Sequence, residues 1–177
     1  VRRQARPGPV GRVGMEQLCP QGDEAGSTKD GGFAEFMLVP HPRYLVRLGD
    51  IDPMNATPFG CAALSALAAV KRVLPHLRDG GWLAVIGAGG LGTYAVHFAT
   101  TLSSARTLVV DPRASALSRA RAAGADATIP AGSGALGSIM SETDGRGCEA
   151  VLDFVGSDDS LGLAAKAVTR RGIIGLL

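Results

Sequence analysis

Residues 82–92 read WLAVIGAGGLG, and no other stretch restricts the fold as much. An apolar run without polar alternation suits a strand buried on both faces rather than one with a wet side. The run passes into Gly87, Gly89, Gly90 and Gly92, and LGTYAVHFATTLS beyond it has helical character. A strand that turns on glycines into a helix opens a βαβ unit. Residues 81–102 also carry no Asp, Glu, Lys or Arg, so by length they could span a membrane. The glycines crowd the first half of that segment and would leave a spanning helix weak. The flanks read as soluble α/β structure, and the membrane reading is set aside. In a third reading the glycines only shape a strand–helix corner, and the residues beyond 102 bear on it.

The alternation continues to residue 177. RTLVVD (106–111) reads as a second buried strand, and SALSRARAAG (115–124) as a helix with Gly124 just past its end. DATIP is a short strand, ALGSIMSETDG a helix and EAVLDFVG a strand. SLGLAAKAVTRRG is a helix and IIGLL a last strand. Asp158 and Asp159 are expected to cap the helix that follows them. About five alternations of strand and helix predict an α/β fold, a Rossmann-type doubly wound parallel sheet. Before it, residues 1–30 read as loop. FAEFMLV (33–39) and RYLVRL (43–48) read as short strands parted by Pro40 and Pro42. Asp52 is a good N-cap with Pro53 at the first helical position, Pro58 breaks the helix, and residues 61–74 resume it.

Composition narrows the core and the partners. Hydrophobic residues make up 46% of the chain and aromatics 5%, so the core must rest on Ala, Val, Leu and Ile. A net charge of +2 gives no reason to expect nucleic acid or a membrane surface, and the basic VRRQAR at the start reads as a solvated strip. Cys19, Cys61 and Cys148 are odd in number and far apart, which is not a disulfide framework. No signal-peptide pattern stands at the start. A reducing, cytoplasmic setting is expected. His41, His76 and His97 have no metal-pair spacing and receive no role.

A bare G-x-G-x-x-G is weak, but here it follows a strand and opens a helix. Gly87 permits the tight turn, Gly89 clears the approach of a pyrophosphate, and Gly92 lets helix and strand pack closely. The phosphates would sit on the amides near Gly90 and Leu91 at the helix N-terminus. Asp111 ends the next strand, 19 residues after Gly92. A carboxylate there accepts hydrogen bonds from the adenosine ribose and repels a 2′-phosphate, which favours NAD over NADP. Arg113 blurs that choice, because it could partner a phosphate or stack on adenine. With the acid at the expected distance, the corner-only reading loses ground.

At this point the sequence resembles the zinc-dependent branch of the medium-chain alcohol dehydrogenase family. It is most similar to bacterial NAD-dependent secondary-alcohol dehydrogenases. DGGFAEFMLVP (30–40), DIDPMNATPFGCAALSA (50–66), VIGAGGLG, VVDPRASALSRARAAGAD and VLDFVGS carry the resemblance. It implies a remnant of a GroES-like, β-rich catalytic domain over residues 1–50 and an NAD-binding Rossmann domain over 51–177, truncated before its last strands. It implies that Cys61 ligates catalytic zinc, that Ser65 lies against the nicotinamide, and that Phe154 and Val155 line the cofactor cleft. Zinc would then act as a Lewis acid on an alcohol or carbonyl substrate. The positions matching the family's structural-zinc cysteines hold Ala5, Gly8, Gly11 and Cys19, so no structural zinc is expected. The family's first catalytic cysteine and its Gly-His-Glu segment precede residue 1, so the chain reads as a fragment with an incomplete catalytic zinc site. Homo-oligomers occur among the relatives and are a further expectation. Two alternatives stand beside the dehydrogenase reading. One is a non-catalytic dinucleotide-binding remnant, the other a zinc-free quinone-reductase-like enzyme.

Overall fold

The computed structural model describes residues 19–20 and 22–177. The VRRQAR strip and Ala5, Gly8 and Gly11 lie outside the described residues. The chain divides into two compact units, Val1–Gly60 and Cys61–Leu177. The division falls after Gly60 rather than after residue 50. Asp52 caps the short helix α1 (Pro53–Ala56), its side chain accepting from the Met54 amide at 3.2 Å. Pro58, in the 3-10 turn Thr57–Gly60, separates this piece from helix α2 (Ala62–Val73).

The expected β-rich character of the first unit is not found among its described residues. Ala25 and Lys29 form an isolated bridge, and residues 33–39 and 43–48 belong to no strand. A strand exists only where a neighbour takes up its amides and carbonyls, and an apolar run does not supply that neighbour. Phe33, Phe36 and Leu38 are exposed accordingly. Residues 42–44 instead form a 3-10 turn, and His41 has a local task there. Its Nδ1 accepts the Arg43 amide at 3.1 Å and caps the turn.

The second unit is a five-stranded parallel sheet in the order β3-β2-β1-β4-β5. The strands are β1 (Trp82–Ile86), β2 (Arg106–Asp111), β3 (Ala127–Pro130), β4 (Cys148–Asp153) and β5 (Val168–Leu176). The helices between them are α3 (Gly90–Leu102), α4 (Ala114–Ala122), α5 (Ala135–Glu142) and α6 (Asp158–Ala167). Leu83 and Val85 of β1 join a buried cluster with alanines and valines of α2, α3 and α4. Trp82, Ala84 and Ile86 point into a second cluster with α5 and α6. Both faces of β1 are therefore dry, which is why its sequence runs apolar without alternation. The strand order reverses at β1, between β2 and β4, and such a switch point opens a crevice at the carboxyl ends of the strands.

Two boundaries differ from those expected. The last helix ends at Ala167, and Val168 already begins β5, which pairs with β4 across a register shift between Cys148 and Ala150. Gly172 makes that pairing feasible, since a Cβ there would lie 2.8 Å from the Glu149 carbonyl oxygen. The cap of α6 is Ser157 rather than the two aspartates. Its hydroxyl accepts the Ser160 amide at 3.1 Å, and Ser160 Oγ accepts the Ser157 amide at 3.0 Å, a reciprocal capping box. Asp158 and Asp159 occupy the first turn, where negative charge complements the helix dipole.

Candidate functional site

The glycine turn stands at the end of β1, held from both sides. Gly87 has φ +90, a conformation open to glycine, and its amide donates to the Val110 carbonyl of β2 at 2.8 Å. A Cβ on Gly87 would come 2.8 Å from Val155 Cγ2. A Cβ on Gly92 would collide with the Gly87 carbonyl, so the third glycine sets how closely α3 approaches β1. Gly90, by contrast, faces open space. The first amides of α3 have no intrahelical acceptor, and no side chain caps them. Open space over uncapped amides at a helix N-terminus fits a phosphate group.

Asp111 ends β2 beside this turn and is 2% exposed. Its Oδ2 accepts the Ala88 amide at 2.8 Å, so the acid of one strand fastens the turn of the next. Arg113 reaches back to the same carboxylate. Its amide and Nε donate to Oδ1 at 2.9 and 3.0 Å, and its Nη2 donates to Oδ2 at 3.0 Å. The guanidinium hydrogen bond is the main reason the Asp111 carboxyl is held down at about 2. Burial opposes that shift, and the Arg113 and Ala88 amides reinforce it.

Phe154 and Val155 arrive from the end of β4. The Phe154 amide donates to the Ile86 carbonyl at 2.9 Å, and its ring is half-buried against the core. Val155 helps line a crevice of about 700 Å³ with Gly87, Val110, Pro112, Ala131 and Leu163. The glycines, Asp111, Arg113, Phe154 and Val155 thus converge on one end of the sheet.

Sequence pattern alone does not single out one residue of this region. Asp153 is fully buried, and its Oδ1 accepts the amides of Val155 and Gly156 at 2.8 and 3.2 Å. Its Oδ2 accepts the Ser160 hydroxyl at 2.7 Å. It shapes the turn that presents Val155. The available sign is an acid closing an apolar strand, with Gly156 and Ser157 three and four residues on; Asp111 likewise closes an apolar strand.

Cys61 and Ser65 sit together at the start of α2, the Ser65 amide donating to the Cys61 carbonyl at 2.9 Å. Cys61 is exposed and Ser65 half-buried. No hydrogen bond links either side chain to the glycine turn. Among the described residues no group of three or more His, Cys, Asp or Glu side chains is placed to hold a metal ion. A single thiol does not make a zinc centre, so these residues do not fit zinc by themselves. Cys19 is a buried free thiol. Among the described residues no single helix is long and apolar enough to cross a membrane.

Comparison with known proteins agrees with this geometry. Residues 90–177 match the family described as zinc-binding dehydrogenase. An NAD-dependent alcohol dehydrogenase of Sulfurisphaera tokodaii is 37% identical over 163 residues, covering 91% of this chain and 46% of that protein. A D-arabinose 1-dehydrogenase (NADP(+)) of Saccharolobus solfataricus is 30% identical over 166 residues, covering 92% of this chain and 47% of its own length. The crystal structure of the alcohol dehydrogenase from Aeropyrum pernix superposes with a TM-score of 0.89 at 30% identity, over 99% of this chain and 53% of that one. The chain spans about half the length of the curated relatives it matches. Residues 90–177 belong to the zinc-binding dehydrogenase family, and over nearly its whole length the chain is similar in sequence and fold to zinc-type medium-chain alcohol dehydrogenases.

Proposed function

We propose that this chain is the dinucleotide-binding part of an oxidoreductase that transfers hydride between NAD and a small alcohol or carbonyl compound. The observation that carries the reading is the joint placement of the glycine turn and Asp111. The Ala88 amide to Oδ2 bond at 2.8 Å sets a buried carboxylate beside the uncapped amides of α3. When bound, NAD supplies the hydride acceptor, and the chain's own residues hold it. The amides of Gly90 and Leu91 would receive the pyrophosphate, Asp111 the adenosine ribose, and Val155 and Pro112 the flank of the crevice. Ser65 would lie towards the nicotinamide, and Cys61 would contribute one ligand to a catalytic zinc whose other ligands the described residues do not provide. Residues 1–50 would be a piece of the catalytic domain. Three free cysteines suit a reducing, cytoplasmic setting. Homo-oligomeric assembly belongs to the same reading.

A second reading is favoured by the solitary state of Cys61. The chain would bind the dinucleotide and not turn over by itself. One experiment addresses both. Calorimetric titration of the chain with NADH should give saturable binding. Trp82 stands at the start of β1, at the far end of that strand from the turn, so heat is a better signal than its emission. NADH formation from NAD and a panel of secondary alcohols then separates enzyme from binder. Absence of saturable NADH binding would remove both readings.

A further inference from the structure

Three aspartates in the chain are followed directly by glycine: Asp30 by Gly31, Asp79 by Gly80 and Asp144 by Gly145. Such a pair is open to a reaction that needs no catalyst, because no side chain on the glycine shields its amide nitrogen from the aspartate carboxyl group. To react, that nitrogen must leave any hydrogen bond and swing towards Cγ. A fold that holds the amide therefore slows the reaction by the cost of opening it locally.

Two of the pairs are held. The Gly145 amide donates to the Met140 carbonyl at 2.7 Å, just past the end of α5. The Gly80 amide donates to the Ser104 carbonyl at 3.4 Å, and the Asp79 carboxylate accepts the Ser104 hydroxyl. The pair at Asp30 is different. It follows a well-tied turn, in which the Glu24 carbonyl accepts the amides of Ser27, Thr28 and Lys29, and Lys29 Nζ pairs with Asp23 at 2.7 Å. Beyond that turn, no backbone amide of residues 30–39 has an acceptor among the described residues. Asp30 is exposed, and its carboxylate has no hydrogen bond or ion pair among the described residues. The turn itself requires the glycine, since a Cβ at Gly31 would lie 2.8 Å from Gly26 Cα.

We propose that Asp30 is a site of spontaneous isomerisation to isoaspartate, set apart from the other two aspartates by the fold. The Gly31 nitrogen attacks Cγ of the protonated Asp30 carboxyl group. A C–N bond forms, the amide proton and the hydroxyl depart as water, and a five-membered succinimide closes. Water then opens the ring. Attack at Cγ restores aspartate, while attack at the α-carbonyl leaves the chain running through Cγ. That linkage adds one atom to the main chain between the turn and Phe33, and leaves the α-carboxylate of residue 30 as the side group.

The test is incubation of the whole chain near neutral pH in heavy-oxygen water, followed by mass spectrometry of the peptides that contain each pair. Every ring opening inserts one heavy oxygen, so label counts turnover through the succinimide. In the native chain the peptide of Asp30 should take up label at least about fivefold faster than the peptides of Asp79 and Asp144. In urea the three should come within about twofold of one another, because the local sequence is then all that distinguishes them. Asp30→Glu, which cannot close a five-membered ring, should abolish the uptake in that peptide. A smaller native difference, or label that persists in Asp30→Glu, overturns the proposal.

Discussion

Asp111 shows how one side chain can serve structure before it serves a ligand. Its carboxylate fastens the Ala88 amide and is itself held by Arg113. Because the folded chain lowers its pKa from 3.8 to about 2, the carboxylate favours folding when ionised. That contribution is complete above about pH 4 and is lost as the pH falls towards about 2. Between about pH 4 and about pH 2.5 the urea-unfolding midpoint should therefore drop more in the wild type than in Arg113→Ala, where the main cause of the shift is gone. Equal losses in the two proteins would show that the pair is not coupled to folding. Only part of this is readable in sequence. The spacing from Gly92 marks Asp111 as a ribose acceptor, and Arg113 reads only as a partner for a phosphate or for adenine. That the two close on each other depends on a two-residue reach across Pro112, which spacing alone does not fix.

At the scale of elements, the strands and helices of the second unit follow from apolar runs punctuated by glycine. That is why β1 to β4 and helices α3 to α5 stand where they are expected. The end of α6 does not, because AKAVTRRG reads as helix by composition while pairing with β4 draws it into β5 from Val168. The first unit departs in the opposite sense, since FAEFMLV has strand composition and no ladder partner among the described residues. The β4–α6 turn is opaque for a third reason. Asp153 is satisfied by amides two and three residues ahead and by Ser160, contacts that a local pattern barely marks. Asp153→Ala would leave two amides without their acceptor and the Ser160 hydroxyl with only the Ser157 carbonyl, and should cost about 2–4 kcal/mol in chemical denaturation. Asp153→Asn should cost less, because one oxygen remains to accept. Wild-type stability in Asp153→Ala would mean that the turn keeps its shape without the carboxylate.

The whole second unit is a sheet covered on both faces, and the three thiols of the chain differ in their access to solvent. Cys148 begins β4 inside the core, and burial pushes its thiol up to about 12. Cys61 is exposed and Cys19 is buried. A thiol reagent at about pH 8 should label Cys61 first, with Cys148 reacting only as fast as the sheet unfolds, measured by mass spectrometry of the labelled peptides. Rapid labelling of Cys148 in native buffer would contradict the placement of β4. The alternation of strands makes this architecture legible from sequence, as does the resemblance to the dehydrogenase family. The gathering of zinc ligands is not legible, because it requires side chains that the described residues do not bring together.

The helices that cover this sheet do so with methyl groups. Ala66 and Ala69 on α2, Ala95 and Ala99 on α3, Ala116 and Ala120 on α4, and Ala164 and Ala167 on α6 all face the interior. Such a core has little side chain left to truncate and almost no room to grow. Variation at these contacts is therefore lopsided: exchange for glycine forfeits a methyl, while exchange for leucine must push a helix off the strands. Drift over these positions should be confined to the smallest residues, leaving the solvent-facing sides of the same helices as the ground on which descendants of this chain can diverge.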